Sequence, residues 1–378
     1  MLSQSRIHPI ATTQPMSKKM NVLIACGGTG GHLFPGIAVA EELRGRGHEV
    51  LLLISEKKVD AEASQKYGDL AFLTVPAIAK PPTLSPRMLP FLFRLWKTVR
   101  QCKKILIAHK IDAVLGMGGF TSLPPVMAGK KIGLATFIHD SNVVPGKANR
   151  LTARWCDQVL LGFEAAESHF GDVRVSITGT PVRGELRVLP DRDTASGKYG
   201  LSPDKKTVLV MGGSQGAKNL NTVVVEAAMA MPDVQFLHLT GSFDHDRVVE
   251  MAKGRDGYHA LSFCDDMAAA YAACDLAVCR SGASSMTELS IVAMPSILVP
   301  YPYAADDHQT ANAQVFDDVG AAVMCQEADL DAGALVAEMT RILDDDSIIG
   351  EMKQKLDTLA VKNAAARICD VISVDVLT

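Results

Sequence analysis

With 378 residues, 48% of them apolar and 21% charged, the chain is long enough for two domains with cores of their own and too mixed for a disordered or fibrous protein. Its formal net charge of −4 gives no reason to expect nucleic acid as a partner, and no uninterrupted apolar run reaches the ~18–20 residues that span a bilayer. Eight cysteines without a C-x-x-C pair argue against a disulfide framework and a zinc site; thiols in apolar runs, such as Cys26 and Cys279, suit a reducing, cytosolic compartment.

The first residues, MLSQSRIHPIATTQPMSKK, hold no apolar core for a signal peptide and read as a disordered leader over 1–19, with Met16 or Met20 as candidate starts. From Asn21 to Gly36 the chain reads NVLIACGGTGGHLFPG, a strand that runs through glycines and a histidine into a helix. Backbone N–H groups at such a helix start attract anions, and Thr29 adds a hydroxyl donor. The dinucleotide fingerprint fails here, because its third glycine position is Leu33. The P-loop fails too, because Gly36 is followed by Ile37. A strand candidate EVLLLIS follows, and Glu56 after it keeps a ribose-binding acid, and so an NAD-dependent oxidoreductase, as a rival.

The next segment, Ala79 to Lys110, has no acidic residue and carries Lys80, Arg87, Arg94, Lys97, Arg100, Lys103, Lys104 and Lys110. Leu92, Leu95, Val99, Cys102 and Leu106 share one helical face and are expected to pack on the sheet. Leu84, Met88, Phe91, Phe93 and Trp96 are a surplus that this face cannot all bury. Aromatic side chains beside basic ones suit an anionic membrane surface; the bland alternative is a core helix with a solvated basic side. The strand candidates AVLGM and ATFIHD complete the first half, and MGGFTSLP is a second glycine turn.

Glycines and a proline in ITGTPVRGEL, Ile177 to Leu186, mark the boundary between halves. Beyond it the opening unit returns as TVLVMGGSQGAKNLNTVVVEAA, Thr207 to Ala228, again without a true P-loop because Lys218 lies one residue too far on. Further strand candidates are VQFLHLT, LAVCR and PSILVP, near-continuous apolar runs of the kind found in parallel sheets covered on both faces. Two doubly wound α/β halves, each opening on a phosphate-type turn, put a cleft between two sheets. The plain alternative for each turn is a tight strand–helix connection that binds nothing. After LAVCR, Glu288 sits one turn into a helix, where its carboxylate suits two ribose hydroxyls or merely the helix dipole. After PSILVP, Gln309 and Asn312 carry amides suited to sugar hydroxyls. The helical stretch after Asp344 has no strand partner and is expected to pack back across the first domain.

The motifs GGTGGHLFPG, MGGFTSLPPV, TGTPVR, GGSQGAKNLN, DDMAAAYAACDLAVCRSGASSMTEL and DHQTANA, in this order, resemble glycosyltransferase family 28. That family includes the bacterial enzymes that move N-acetylglucosamine from UDP-N-acetylglucosamine (UDP-GlcNAc) to undecaprenyl-pyrophosphoryl-N-acetylmuramyl-pentapeptide. The resemblance runs from about Met20 to Phe316 and more loosely to the C-terminus. It implies a glycosyltransferase B fold: an acceptor- and membrane-binding domain over 20–180, a UDP-sugar domain over 181–345, and C-terminal helices over 346–378.

The resemblance implies donor contacts at Arg183 and Ser214 on the diphosphate, at Glu288 on the ribose, and along Ala283, Ser284, Ser285, Met286 and Thr287 beside the nucleotide. Gln309 and Asn312 would read the sugar, and Asn142 would reach it from the first domain. Cys264 stands where the family has an aliphatic residue whose backbone binds uracil. Thr29, Gly30 and Gly31 would face both substrates and, with Gly118, Gly119 and Ser122, cradle the acceptor pyrophosphate. Phe120 stands where members often have an aromatic hydroxyl. His32 is the candidate general base for an inverting displacement that makes a β-1,4 bond, or else a phosphate ligand or helix cap. His139 and His308 are expected to be structural or secondary.

No cofactor is required on this reading, and a divalent cation would be at most a stimulant. The implied location is the cytoplasmic face of the bacterial membrane, held peripherally. A related transferase with another lipid or small-molecule acceptor is the nearest rival. A non-catalytic nucleotide-sugar binding module is a third, which the presence of His32 and the acceptor loops counts against.

Overall fold

The computed structural model describes residues 19–56, 67–76, 81, 85–213 and 217–377. The expected leader, apart from Lys19, lies outside them, as do Lys80, Leu84 and Ser214.

Two parallel sheets organise the chain. The first contains β1 (Asn21–Ala25), β2 (Glu49–Ser55), β3 (Ala71–Val75), β4 (Ala113–Gly116), β5 (Ala135–Asp140), β6 (Gln158–Leu161) and β7 (Arg174–Ile177), in the order β3-β2-β1-β4-β5-β6-β7. The second contains β8 (Thr207–Met211), β9 (Gln235–Leu239), β10 (Tyr258–Leu261), β11 (Leu276–Cys279), β12 (Ser296–Leu298) and β13 (Val323–Met324), in the order β10-β9-β8-β11-β12-β13. The two doubly wound halves expected from the sequence are both present. In each, the strand order reverses beside the first strand, between β1 and β4 and between β8 and β11. Crevices open beyond the carboxyl ends of strands at such switch points. The chain puts its glycine turns there, after Ala25, Gly116, Met211 and Cys279.

Helix Gly30–Gly45 lies close on β1 because Gly36 has no side chain: a Cβ there would stand 2.4 Å from Cys26 Cβ. Ala365, Ile368, Cys369 and Ile372 of the last helix, Ala364–Leu377, share a core with Met20, Leu33, Ile37 and Leu52. Arg46 pairs with Asp370 at 2.5 Å beside it. All eight cysteines are free thiols, seven of them buried and Cys325 half-buried.

One expected face is rotated. Helix Met88–Ala108 buries Phe91, Thr98, Val99, Cys102 and Leu106, whereas Leu92 is exposed and Leu95 only half-buried. Phe91 turns inward because it meets the edge of the Phe120 ring, 6.4 Å away at 89°. Phe120 is therefore an apolar partner of this helix. The outward face keeps Leu89, Leu92, Phe93 and Trp96 in solvent. No helix among the described residues is long and apolar enough to cross a membrane.

Candidate active site

In the first lobe, Thr29 ends the glycine turn and its carbonyl accepts from the His32 and Leu33 amides at 3.1 Å each. Its hydroxyl lies 3.2 Å from His32 Nδ1. The His32 ring lies against the second turn, where Gly118 has φ +119° and Gly119 φ +70°. A Cβ on Gly118 would come within 2.8 Å of His32 Nε2, so two separate requirements, backbone angle and ring contact, keep a side chain out. Ser122 does not face the opening. It is fully buried, with Oγ accepting from Gly118 N at 3.0 Å and donating to Gly118 O at 2.8 Å. It therefore shapes the turn.

Sequence reasoning missed the group behind this turn. Asp140, at the end of β5, accepts from the Asn142 and Gly146 amides and from Asn149 Nδ2 at 2.7 Å. Asn149 Oδ1 in turn accepts from Gly119 N at 3.2 Å. Burial pushes the Asp140 carboxyl above its ordinary range, with those hydrogen bonds opposing.

His139 points the other way and is fully buried, Nε2 donating to Gly179 O at 3.0 Å. Burial pulls its pKa down to about 4. It is structural, as expected. An unfolded histidine takes up a proton near pH 6.5, so the unfolded chain binds more protons between about 6.5 and 4, and stability falls as pH falls through that window. Urea melts at pH 7 and pH 5 should show the wild type losing about 2 kcal/mol more than His139→Gln, which has no such proton to take up. An equal loss in both proteins would refute this.

The second lobe holds a cleft of about 600 Å³. Arg183 and Glu288, both in its lining, pair at 3.2 Å, Arg183 also meets Glu185 at 3.0 Å, and the Tyr271 hydroxyl donates to Glu288 at 2.9 Å. Burial pushes the Glu288 carboxyl up, with Arg183 and Tyr271 opposing. The Arg183 Nε donor is buried without a hydrogen-bond partner among the described residues, and the guanidinium stands 5.0 Å over the Phe34 ring of the first lobe.

Cys264, Ser285, Glu288 and Gln309 all line the cleft. Phe34, Tyr271 and Arg280 line it too; they lie within the quoted motifs but were not singled out as site residues. Within Ala283–Glu288 the roles divide. Met286 lies in the core, Thr287 donates to the Ala283 carbonyl at 2.9 Å, and Ser284 Oγ faces Gly31 O across the lobes at 3.5 Å. His308 Nδ1 donates within its own turn, to the Ala305 carbonyl at 2.8 Å. Ser214 lies outside the described residues.

Asn312 departs from its expected place. It is fully buried: Oδ1 accepts from Val143 N at 2.9 Å, and Nδ2 donates to Asn142 Oδ1 at 3.2 Å and to Ser281 O at 3.1 Å. Both amide ends are engaged, so Asn312 offers no donor to a sugar in this arrangement. Gln309 does line the cleft, its Oε1 accepting from Tyr301 N at 3.0 Å.

Residues 22–161 match the glycosyltransferase family 28 N-terminal domain, and residues 207–368 match its C-terminal domain. The chain belongs to glycosyltransferase family 28. Similar family 28 proteins include one from Citrifermentans bemidjiense, 37% identical over 92% of this chain and 98% of its own length. Another, from Shewanella sp. strain MR-4, is 35% identical over 93% of this chain and 96% of its own. Both are named UDP-N-acetylglucosamine–N-acetylmuramyl-(pentapeptide) pyrophosphoryl-undecaprenol N-acetylglucosamine transferase. Among solved structures, Acinetobacter baumannii MurG superposes with a TM-score of 0.72 at 27% identity, covering 94% of this chain and 99% of that one. The two facing lobes are thus the glycosyltransferase B arrangement of family 28, and the oxidoreductase reading of Glu56 falls away.

Proposed function

We propose that this chain transfers N-acetylglucosamine from UDP-GlcNAc, with inversion, to the 4-hydroxyl of lipid-linked N-acetylmuramyl-pentapeptide. The observation that carries the geometry is the meeting of two unlike walls: Arg183, Glu288 and Gln309 line the cleft, and the His32–Gly118–Gly119 cradle lies across the Gly31–Ser284 contact. The relatives' common name supplies the substrate pair.

In the proposed step the acceptor oxygen attacks the anomeric carbon as the bond to the UDP oxygen breaks, and the hydroxyl proton passes to His32. With Nδ1–H donated to Thr29 Oγ1, His32 Nε2 carries the receiving lone pair. Charge building on the departing diphosphate meets Arg183, whose planar fork suits it, and helix-start amides. Glu288 accepts from the ribose, and the Cys264 backbone serves the uracil. No cofactor is needed for these steps, and a divalent cation would act only as a stimulant on the diphosphate. Radiolabelled UDP-GlcNAc with a synthetic short-chain acceptor should yield a labelled disaccharide-lipid. Label passing only to a different lipid or small-molecule acceptor would sink the acceptor assignment.

Such an acceptor stays in the bilayer, so the enzyme must come to it. Exposed Leu89, Leu92, Phe93 and Trp96 lie among exposed Arg94, Lys97, Arg100, Lys103 and Lys104, with Arg100 4.7 Å over the Trp96 ring. This surface suits peripheral attachment to the anionic cytoplasmic leaflet, where each basic residue contributes about 1 kcal/mol. The product would serve peptidoglycan synthesis and, through it, cell shape and division. Partition onto anionic vesicles should weaken roughly tenfold or more in Phe93→Ser/Trp96→Ser. Unchanged sedimentation with vesicles would count against the surface.

A further inference from the structure

We infer that Asn312 is a positioning residue, a latch that sets the donor lobe against the acceptor lobe and acts on His32 through a chain of hydrogen bonds. The inference rests on the function proposed above and reassigns a residue expected to read sugar hydroxyls.

Three observations carry it. Asn312 comes from the second lobe, yet two of its three partners, Val143 N and Asn142 Oδ1, belong to the first. The surrounding groups fix its orientation, since the Val143 N–H needs an acceptor and the Ser281 carbonyl needs a donor. The chain then continues inward. Asn142 N donates to Asp140 Oδ1 at 2.9 Å, Asp140 Oδ2 accepts from Asn149 at 2.7 Å, and Asn149 accepts from Gly119, which lies against the His32 ring. A shift of Asn312 therefore reaches the base as well as Gln309, one turn earlier on its own helix, His308–Asp318.

The third observation lies just before that helix. Asp306 and Asp307 both adopt left-handed backbone, φ +53° and +52°, which is costly for two successive residues with side chains. Asp306 meets Lys147 and Arg150 of the first lobe at 2.9 Å each. These ion pairs are exposed and individually weak; the buried amide is the stronger part of the latch, and the pairs hold the strained approach to it.

Alignment of two bound substrates governs turnover more than the affinity of either one. Asn312→Ala should lower kcat by roughly ten- to a hundredfold, while the UDP-GlcNAc Kd from calorimetry changes by less than about threefold. A donor Kd weakened by the same factor as kcat/KM, with kcat unchanged, would return Asn312 to the sugar and overturn the latch.

A second arm tolerates misfolding of that buried variant. Asp306→Lys should reduce kcat several-fold, and Lys147→Glu/Arg150→Glu added to it should restore turnover. Absence of loss, or loss without recovery, overturns the latch. Wild-type protein that fails to bind UDP-GlcNAc would instead defeat the proposed function, so the two failures are distinguishable.

Discussion

His32→Ala is expected to lower kcat by roughly 10²–10⁴-fold, the usual contribution of a positioned general base. The donor Kd should stay near that of the wild type. The asymmetry follows from where the ring sits. Its Nε2 edge abuts Gly118 on the acceptor side, and Thr29 Oγ1 is placed to fix Nδ1. Arg183, Glu288, Gln309 and Cys264, by contrast, line the donor cleft. His32→Gln sharpens the test, because an amide keeps hydrogen bonding but cannot accept a proton near neutral pH. If His32 were only a phosphate ligand or helix cap, glutamine would restore much of the turnover and the loss would appear in the acceptor KM. Steady-state transfer with a short-chain acceptor, together with calorimetry for UDP-GlcNAc, separates these outcomes. Turnover within a few-fold of the wild type in both variants would remove the base assignment.

The sequence announced what depends on local backbone pattern and concealed what depends on distant partners. The eight strand candidates correspond to β1, β2, β4, β5, β8, β9, β11 and β12, mostly near-continuous apolar runs. β3, β7, β10 and β13, the four sheet edges, were not among them, because an edge strand faces solvent along one side and loses that signal. The four-residue QVLL of β6 is fully buried but too short to stand out. Glycine turns were legible because a strand entering a helix through glycine is itself the anion-binding device. The role of Asn312 was not, since its first-lobe partners lie 169 and 170 positions away in the chain. The face of helix Met88–Ala108 was misjudged for a similar reason: Phe91 is buried by Phe120, on another helix.

The donor side makes the other large prediction. Glu288→Gln should raise the UDP-GlcNAc Kd roughly ten- to a hundredfold, as expected when a hydrogen bond to a charged group is lost. It should leave kcat at saturating donor less affected. Two effects add. The ribose loses an ionised acceptor, and Arg183 loses the carboxylate that holds it at 3.2 Å, keeping its ion pair with Glu185. Breaking a buried pair is also destabilising, typically by about 3–5 kcal/mol, so a thermal melt must accompany the binding measurement. Tyr271→Phe is the companion variant. It removes one donor to the same carboxylate at 2.9 Å without changing the charge, so its effect on Kd should be smaller and of the same sign. The raised Glu288 carboxyl adds a direction in pH: donor affinity should decline as pH falls through its folded value, and this decline should vanish in Glu288→Gln. A Glu288→Gln protein that melts like the wild type and binds UDP-GlcNAc with unchanged affinity would mean that the ribose lies elsewhere and that the Arg183–Glu288 pair serves the fold alone.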